Sequence, residues 1–336
     1  MSEHLSTTHT TMRAVTQDGY GAPERVLRSQ EIQVPVIGAD EVLIRMRATS
    51  VNTPDWATVI GEPSALRLGI GLRRPKRPVR GSDLSGVVAA VGPQVTDLVP
   101  GDEVLGSARG TFAEYVAAPA AQLTRKPAGL GFTDAAASVM TGLTALVAMR
   151  DVAQVGPGTR VLINGSSGGV GTMAIQIATL LGAEVTAVCG PSHADLVRSL
   201  GARHVIDYTS EDFTQGARRY DVILDNVLNH PPKKTVRVLA PGGVFIPNSL
   251  GNTGGLLAGL PRTARSVLMG LGRIKVRLVT PKVNRENLDA LVRLIESGQV
   301  HVIIDQTYPL DQAASAVAHM LGHHASGKIA ITASGA

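Results

Sequence analysis

The stretch Val161–Cys189, VLINGSSGGVGTMAIQIATLLGAEVTAVC, constrains this chain more than any other part of it. An apolar run at Val161–Asn164 leads into a glycine-rich turn at Gly165–Gly171. Apolar residues at helical spacing follow (Met173, Ile177, Leu180, Leu181), and then an alternating run at Glu184–Cys189. That order predicts strand, turn, helix and strand. A pyrophosphate needs several peptide N–H groups at close range with the positive end of a helix dipole behind them. Gly168, Gly169 and Gly171 allow both, with Val170 between them. At Gly171 the helix can lie against the strand because no side chain intervenes. Ser166 stands where the first glycine of such a turn usually falls, and Gly165 before it keeps the turn small. A glycine-rich loop of an unrelated α/β protein is the competing reading.

The second strand bears on which dinucleotide such a turn takes. A site selective for NAD puts a carboxylate at that strand's end to hold the adenosine ribose hydroxyls. Here Val188, Cys189, Gly190, Pro191, Ser192 and His193 follow one another, and the first acid is Asp195. With no carboxylate to repel it, a 2′-phosphate is tolerated, and Ser192, His193 and Arg198 are candidates to bind it. NADPH is therefore the expected cofactor. The competing reading makes Ser192 a helix cap and Arg198 part of a solvated face.

At 336 residues the chain is long enough for two domains with separate cores. Its single cysteine excludes internal disulfides and a cysteine-cluster zinc site, and a cytoplasmic setting is expected. No apolar stretch is expected to span a bilayer, no secretory signal is read, and no membrane partner is expected. The formal charge of +5 raises nucleic acid as a partner, but the basic residues are scattered among acids, so none is expected. The exception is Arg73–Arg80, RRPKRPVR, whose prolines predict an extended loop. It is read as solvated, or else as a rim of the active-site cleft. Residues 1–11 are polar and read as a disordered tail.

From Met12 to Val116 short strands and turns recur, including Glu41–Thr49, Ser85–Val91, Asp102–Leu105 and Phe112–Val116. Their spacing predicts a closed or nearly closed antiparallel barrel. Near Thr133–Met149 the pattern becomes helical, and a second helix is expected before Gly156–Gly158. Strands then alternate with helices: Val161–Asn164, Glu184–Cys189, Val205–Asp207, Val222–Leu224 and Val244–Pro247. This predicts parallel βαβ units with the ligand across the carboxyl ends of the strands. Gly251–Ile274 shows no clean strand and is read as a lid, a dimer contact or a surface helix pair. A helix at Arg285–Ser297, a strand at Val302–Asp305, a helix at Leu310–His319 and a strand at Ile329–Thr332 complete the chain.

Many segments stand in one order: MRAV, SVNTPDW at 50–56, RGSDLSGVVAAVG at 80–92, GDEV at 101–104, FAEYV at 112–116, TGLTA at 141–145 and NGSSGGVG at 164–171. LGARHVIDYT at 200–209, YDVILDNV at 220–227, PGGVF at 241–245 and SGKIAIT at 326–332 follow. Together they resemble the medium-chain dehydrogenase/reductase superfamily and, within it, the zinc-free quinone oxidoreductase branch. The resemblance implies an α/β protein with a GroES-like β-barrel catalytic domain and a Rossmann domain, a doubly wound parallel sheet that holds the cofactor. The implied limits are 1–130 for the catalytic domain, 131–280 for the Rossmann domain and 281–336 for a C-terminal return to the catalytic domain. A homodimer is implied as well.

Zinc-dependent relatives carry a cysteine where this chain has Asn52, and Gly-His-Glu where it has Gly81-Ser82-Asp83, so no metal is expected. Without a Lewis acid the reaction must polarise its acceptor by hydrogen bonds or use one that is already electrophilic, and a quinone or an α,β-unsaturated carbonyl meets the second condition. The resemblance implies Asn52 beside the nicotinamide as an amide donor to the developing oxyanion, with Asp55 orienting it or capping a helix. Trp56 is an apolar wall or core. Ala57 stands where many relatives have Tyr or His, which removes a proton donor. For the cofactor the resemblance implies Thr141, Thr144, Tyr208, Asn226, Val227, Asn248, Ser249, Leu250 and Lys328. For Tyr208 a buried structural tyrosine is the rival reading, for Asn226 an ordinary turn residue, and for Lys328 a solvated side chain. The expected activity is hydride transfer from NADPH to a quinone or enone. A medium-chain enoyl reductase of a larger acyl substrate, or a low-turnover NADPH-binding protein, stands as the alternative.

Overall fold

The computed structural model describes residues 10–249, 260–270, 275–322 and 325–333. The expected tail up to residue 9, Leu250, residues 251–259 and 271–274, and the His323–His324 pair lie outside the described residues. Of the segment expected to lack a strand, Leu260–Met269 is a helix.

The chain opens with an antiparallel ribbon, β1 (Thr11–Gln17) and β2 (Leu27–Gln33), so Thr11 belongs to a strand rather than to the expected tail. The catalytic-domain sheet contains β3 (Glu41–Ser50), β4 (Asp83–Val91), β5 (Glu103–Ser107), β6 (Tyr115–Pro119) and β7 (Leu123–Arg125). The parallel sheet contains β8 (Arg160–Asn164), β9 (Glu184–Cys189), β10 (His204–Asp207), β11 (Tyr220–Asp225), β12 (Leu239–Pro247) and β13 (Lys275–Val276). The last two strands, β14 (Ile304–Pro309) and β15 (Lys328–Thr332), return to the first sheet, where β15 pairs with β3. β14 runs parallel to β15, so this GroES-like sheet is mixed rather than antiparallel throughout. The expected strand at Phe112–Val116 falls later, at β6, and that at Val302–Asp305 falls later, at β14.

The parallel sheet runs β10-β9-β8-β11-β12-β13, the order in which a chain crosses once from the sheet's middle to build each half. Its ligand cleft therefore lies at the carboxyl ends of β8 and β11, where the crossover directions part. Its strands bury both faces, as the run of buried residues in Val161–Asn164 and Val185–Cys189 requires of a sheet covered by helices on each side.

Between the two sheets lies the helix Phe132–Leu146, which packs on β3, β4, β5 and β15 and on the helices Gly169–Leu180 and Arg285–Glu296. Small residues allow this closeness. A Cβ on Gly142 would stand 2.7 Å from the side chain of Leu291. No separate helix precedes Gly156; the same helix runs on through a wider turn at Val147–Val152. Contrary to expectation, the 21 residues Phe132–Val152 are long and apolar enough to cross a membrane, yet 78% of the window is buried inside the protein, as in a core helix.

Candidate active site

The glycine turn joins β8 to the helix Gly169–Leu180, whose first turn has Gly168 as its N-cap. Gly171 touches the strand end directly: a Cβ there would stand 2.3 Å from the Gly165 carbonyl oxygen and 2.6 Å from Ser166. Ser166 ties the turn to the next strand, its backbone N–H and its hydroxyl both donating to the Val188 carbonyl at 3.1 and 2.9 Å. A serine hydroxyl thus holds the turn where a first glycine would leave it bare. Val170 is half-buried beside Gly169.

At the carboxyl end of β11, burial pushes the Asp225 carboxyl above its usual range. Its Oδ1 accepts from Asn164 Nδ2 at 2.8 Å and from the backbone N–H groups of Val227 and Leu228 at 3.1 and 2.8 Å. Asp225 therefore shapes the loop that carries Asn226 and Val227 to the glycine turn, where a Cβ on Gly165 would meet Val227 at 2.8 Å and Asn226 at 3.4 Å. Asn226 Oδ1 accepts from Asn248 Nδ2 at 2.8 Å, while the Asn226 amide nitrogen is buried without a partner among the described residues. A buried, unsatisfied donor beside the phosphate turn fits a cleft that a dinucleotide fills. Ser249 follows Asn248, half-buried.

At the end of β9 no carboxylate faces the cleft, since Cys189 and Gly190 stand there. Ser192 is exposed and caps no helix through its side chain; its hydroxyl lies 3.4 Å from His193 Nδ1. Arg198 pairs with Asp195 at 3.0 Å on the surface, the geometry of a solvated face. Tyr208 is 60% exposed, which removes the buried structural alternative, and its hydroxyl flanks Gly190. Thr141 and Thr144 turn their hydroxyls back to the helix carbonyls of Ala137 and Met140, at 3.0 and 2.6 Å. Thr141 reaches the turn, its methyl meeting a Cβ built on Gly169 at 3.0 Å.

A second cluster lies one side chain away from the turn. Gly327 N–H donates to the Ser167 carbonyl at 2.8 Å, and a Cβ on Gly169 would meet Lys328 Cδ at 2.8 Å. The buried Lys328 then runs past the turn, and its ammonium donates to Asn52 Oδ1 at 2.6 Å and to the Val51 carbonyl at 2.8 Å. It stands 3.6 Å from Asp83 Oδ2. Burial draws the Lys328 ammonium below its usual range, and the carboxylates of Asp83 and Asp55 oppose that shift. Lys328 is thus a buried member of the site and not a solvated side chain.

Asn52 and Asp55 form a capping box on the helix Thr53–Ile60, with the Asn52 N–H donating to Asp55 Oδ2 at 2.9 Å. Burial, with the nearby Asp83 carboxylate adding to it, pushes the Asp55 carboxyl up to about 7. The Asn52 amide is fully engaged: Nδ2 donates to Asp83 Oδ2 at 2.8 Å and to Ser82 Oγ at 3.2 Å. An amide has two hydrogens, so none is left for a substrate oxygen. This corrects the expected assignment of Asn52 as the direct oxyanion donor. Asp83 is fully buried and also accepts from the Ser50 hydroxyl and, at 3.2 Å, from the Met140 N–H. Trp56 packs against the core formed around β15.

The donors around Asn52 are not the sulfur and nitrogen ligands of a catalytic zinc. Their cation is the Lys328 ammonium, and neither thiolate nor imidazole faces it among the described residues. Sequence reasoning read Ser82 and Asp83 only as missing zinc ligands. Their position in Gly81-Ser82-Asp83, opposite Asn52, was the signal that could have marked them as members of the site.

Two family models match: an alcohol dehydrogenase GroES-like domain over residues 38–128, and a zinc-binding dehydrogenase over 200–331. The chain is 33% identical over 342 residues to the chloroplastic quinone-oxidoreductase QR1 of Triphysaria versicolor, covering 95% of this chain and 98% of that protein. It is 32% identical over 353 residues to a mitochondrial NAD(P)H oxidoreductase of Homo sapiens, covering 96% and 89%. Among solved structures, the quinone oxidoreductase from Coxiella burnetii superposes with a TM-score of 0.83 at 26% identity, covering 96% of this chain and 99% of that one.

Proposed function

This chain belongs to the quinone oxidoreductase branch of the medium-chain dehydrogenase/reductase superfamily and is an oxidoreductase, and from that premise we propose that it reduces quinones or α,β-unsaturated carbonyls with NADPH, without a metal. The observation that carries this reading is the junction at Lys328. It links a dinucleotide turn to a buried polar cluster whose cation is an ammonium. An acceptor that needs no Lewis acid suits such a cluster. The Triphysaria relative carries quinone in its name and the human relative NAD(P)H.

The residues that would hold the cofactor are the N–H groups of Gly168–Gly171 at the pyrophosphate, the Asn226 amide in the cleft, and Ser192, His193 and Tyr208 at the adenosine phosphate. The bound nicotinamide supplies a hydride. The protein's own part is to position the acceptor, exclude water and steady charge that develops on its oxygen. A homodimer belongs to the same reading. β13 stands at the end of the parallel sheet with exposed Val267, Leu268 and Leu278 near it, and light scattering in solution would test this.

The test is oxidation of NADPH and NADH, followed by near-ultraviolet absorbance, against a panel of quinones, enones and enoyl thioesters with and without a chelator. NADPH-preferring, chelator-insensitive turnover of quinones or enones is expected. Turnover of the thioesters alone would transfer the assignment to acyl reduction. Tight NADPH binding without turnover would make the chain a binding protein, and loss of activity in chelator would overturn the metal-free reading.

A further inference from the structure

Asn52 spends both amide hydrogens inside the protein, yet one of its partners is itself a donor with a free hydrogen. Ser82 Oγ accepts from Asn52 Nδ2 at 3.2 Å, and its own O–H has no acceptor among the described residues. Ser82 is half-buried, whereas its neighbour Asp83 is fully buried. The backbone fixes it in place. Gly81 has a φ of +94°, and a Cβ there would stand 2.3 Å from Thr111 Oγ1. The Ser82 carbonyl is held by the Ser107 hydroxyl at 2.9 Å and the Ala108 N–H at 3.0 Å.

Behind Ser82 the bonds run in one direction. The Lys328 ammonium donates to Asn52 Oδ1 at 2.6 Å, which draws electron density from the amide and makes its N–H a stronger donor to Ser82 Oγ. A hydroxyl that accepts such a bond is in turn a stronger donor. Resting on the reading above, we propose that the Ser82 hydroxyl is the hydrogen-bond donor to the carbonyl oxygen of the quinone or enone, polarised through the Asn52 amide by the Lys328 ammonium. Ser82 keeps its proton throughout. The two electrons of the reduction arrive with the hydride, the carbonyl π pair moves onto oxygen, and water supplies the proton that neutralises it.

Asn52 and Lys328 are positioning residues in this arrangement, and Ser82 is the group that meets the substrate. Removing one donor to a developing oxyanion lowers turnover by roughly 10² to 10³. Ser82→Ala should therefore lower kcat by about that factor while leaving the NADPH Kd, read by fluorescence titration, within about twofold of the wild type. Ser82→Thr, which keeps the hydroxyl, should recover most of the loss. A second readout is binding of p-nitrophenolate, a stable anion standing in for the oxyanion. Its absorbance shift and affinity should weaken in Ser82→Ala and return in Ser82→Thr. Ser82→Ala turning over at the wild-type rate, or Ser82→Thr as slow as Ser82→Ala, would overturn the proposal. Absence of wild-type turnover on the whole panel would instead be a failure of the proposed function, and the phenolate titration would then decide the donor assignment alone.

Discussion

Lys328 Nζ donates to Asn52 Oδ1 at 2.6 Å, joining residues 276 positions apart in the chain, and passes the glycine turn on its way. The contact makes β15 a strut between the two halves of the site. It also puts an ammonium 3.6 Å from the buried Asp83 carboxylate, and that charge acts on Asp55 as well.

Removing that cation leaves the buried Asp83 carboxylate its hydrogen-bond donors but takes away the ammonium 3.6 Å from it, which costs up to roughly 3–5 kcal/mol. Lys328→Met should lower the denaturant midpoint accordingly, and the double variant Lys328→Met with Asp83→Asn should lose clearly less. Equal losses in the two proteins would mean that the charges do not interact.

Asp55 makes stability depend on pH. Its carboxyl is raised from 3.8 to about 7, so the fold favours the protonated form. That contribution is complete below about pH 4 and disappears as pH rises through about 7. Asp55→Asn keeps an oxygen to accept the Asn52 N–H and removes the titration. Unfolding midpoints measured from pH 4 to pH 8 should fall for the wild type relative to this variant; parallel curves would refute the assignment.

Gly171 admits no side chain, since the obstructing atoms 2.3–2.6 Å from its Cβ position are backbone atoms of the turn itself. Gly171→Val should reduce NADPH binding below detection in a fluorescence titration. Retained affinity would mean that the phosphates bind elsewhere.

Selectivity should reside at the end of β9. Ser192→Asp puts a carboxylate where the site has none, and like charges there should shift the NADPH to NADH preference toward NADH by about tenfold or more. Steady-state kinetics with both cofactors check this, and an unchanged ratio would remove the β9 end from cofactor choice.

What the sequence determined by itself was local. The apolar runs, the glycine spacing and the alternation of strand with helix fix β8, the turn, the helix after it and β9, because each depends on residues within one or two turns of one another. The absence of a carboxylate after Cys189 was legible for the same reason. Several strand limits shifted: Phe112–Val116 predicted a strand where β6 begins only at Tyr115, because pairing with β3 and not local propensity sets that edge. The active-site cluster was decided only by tertiary structure. Ser50 and Asn52, Ser82 and Asp83, and Lys328 come from three separate segments, and no spacing rule connects the three. Whether the Asn52 amide is free or spent depends on which groups the fold brings within hydrogen-bond reach. Ser82 and Asp83 approach it across 30 and 31 residues and Lys328 across 276, distances at which the chain's periodicity carries no information.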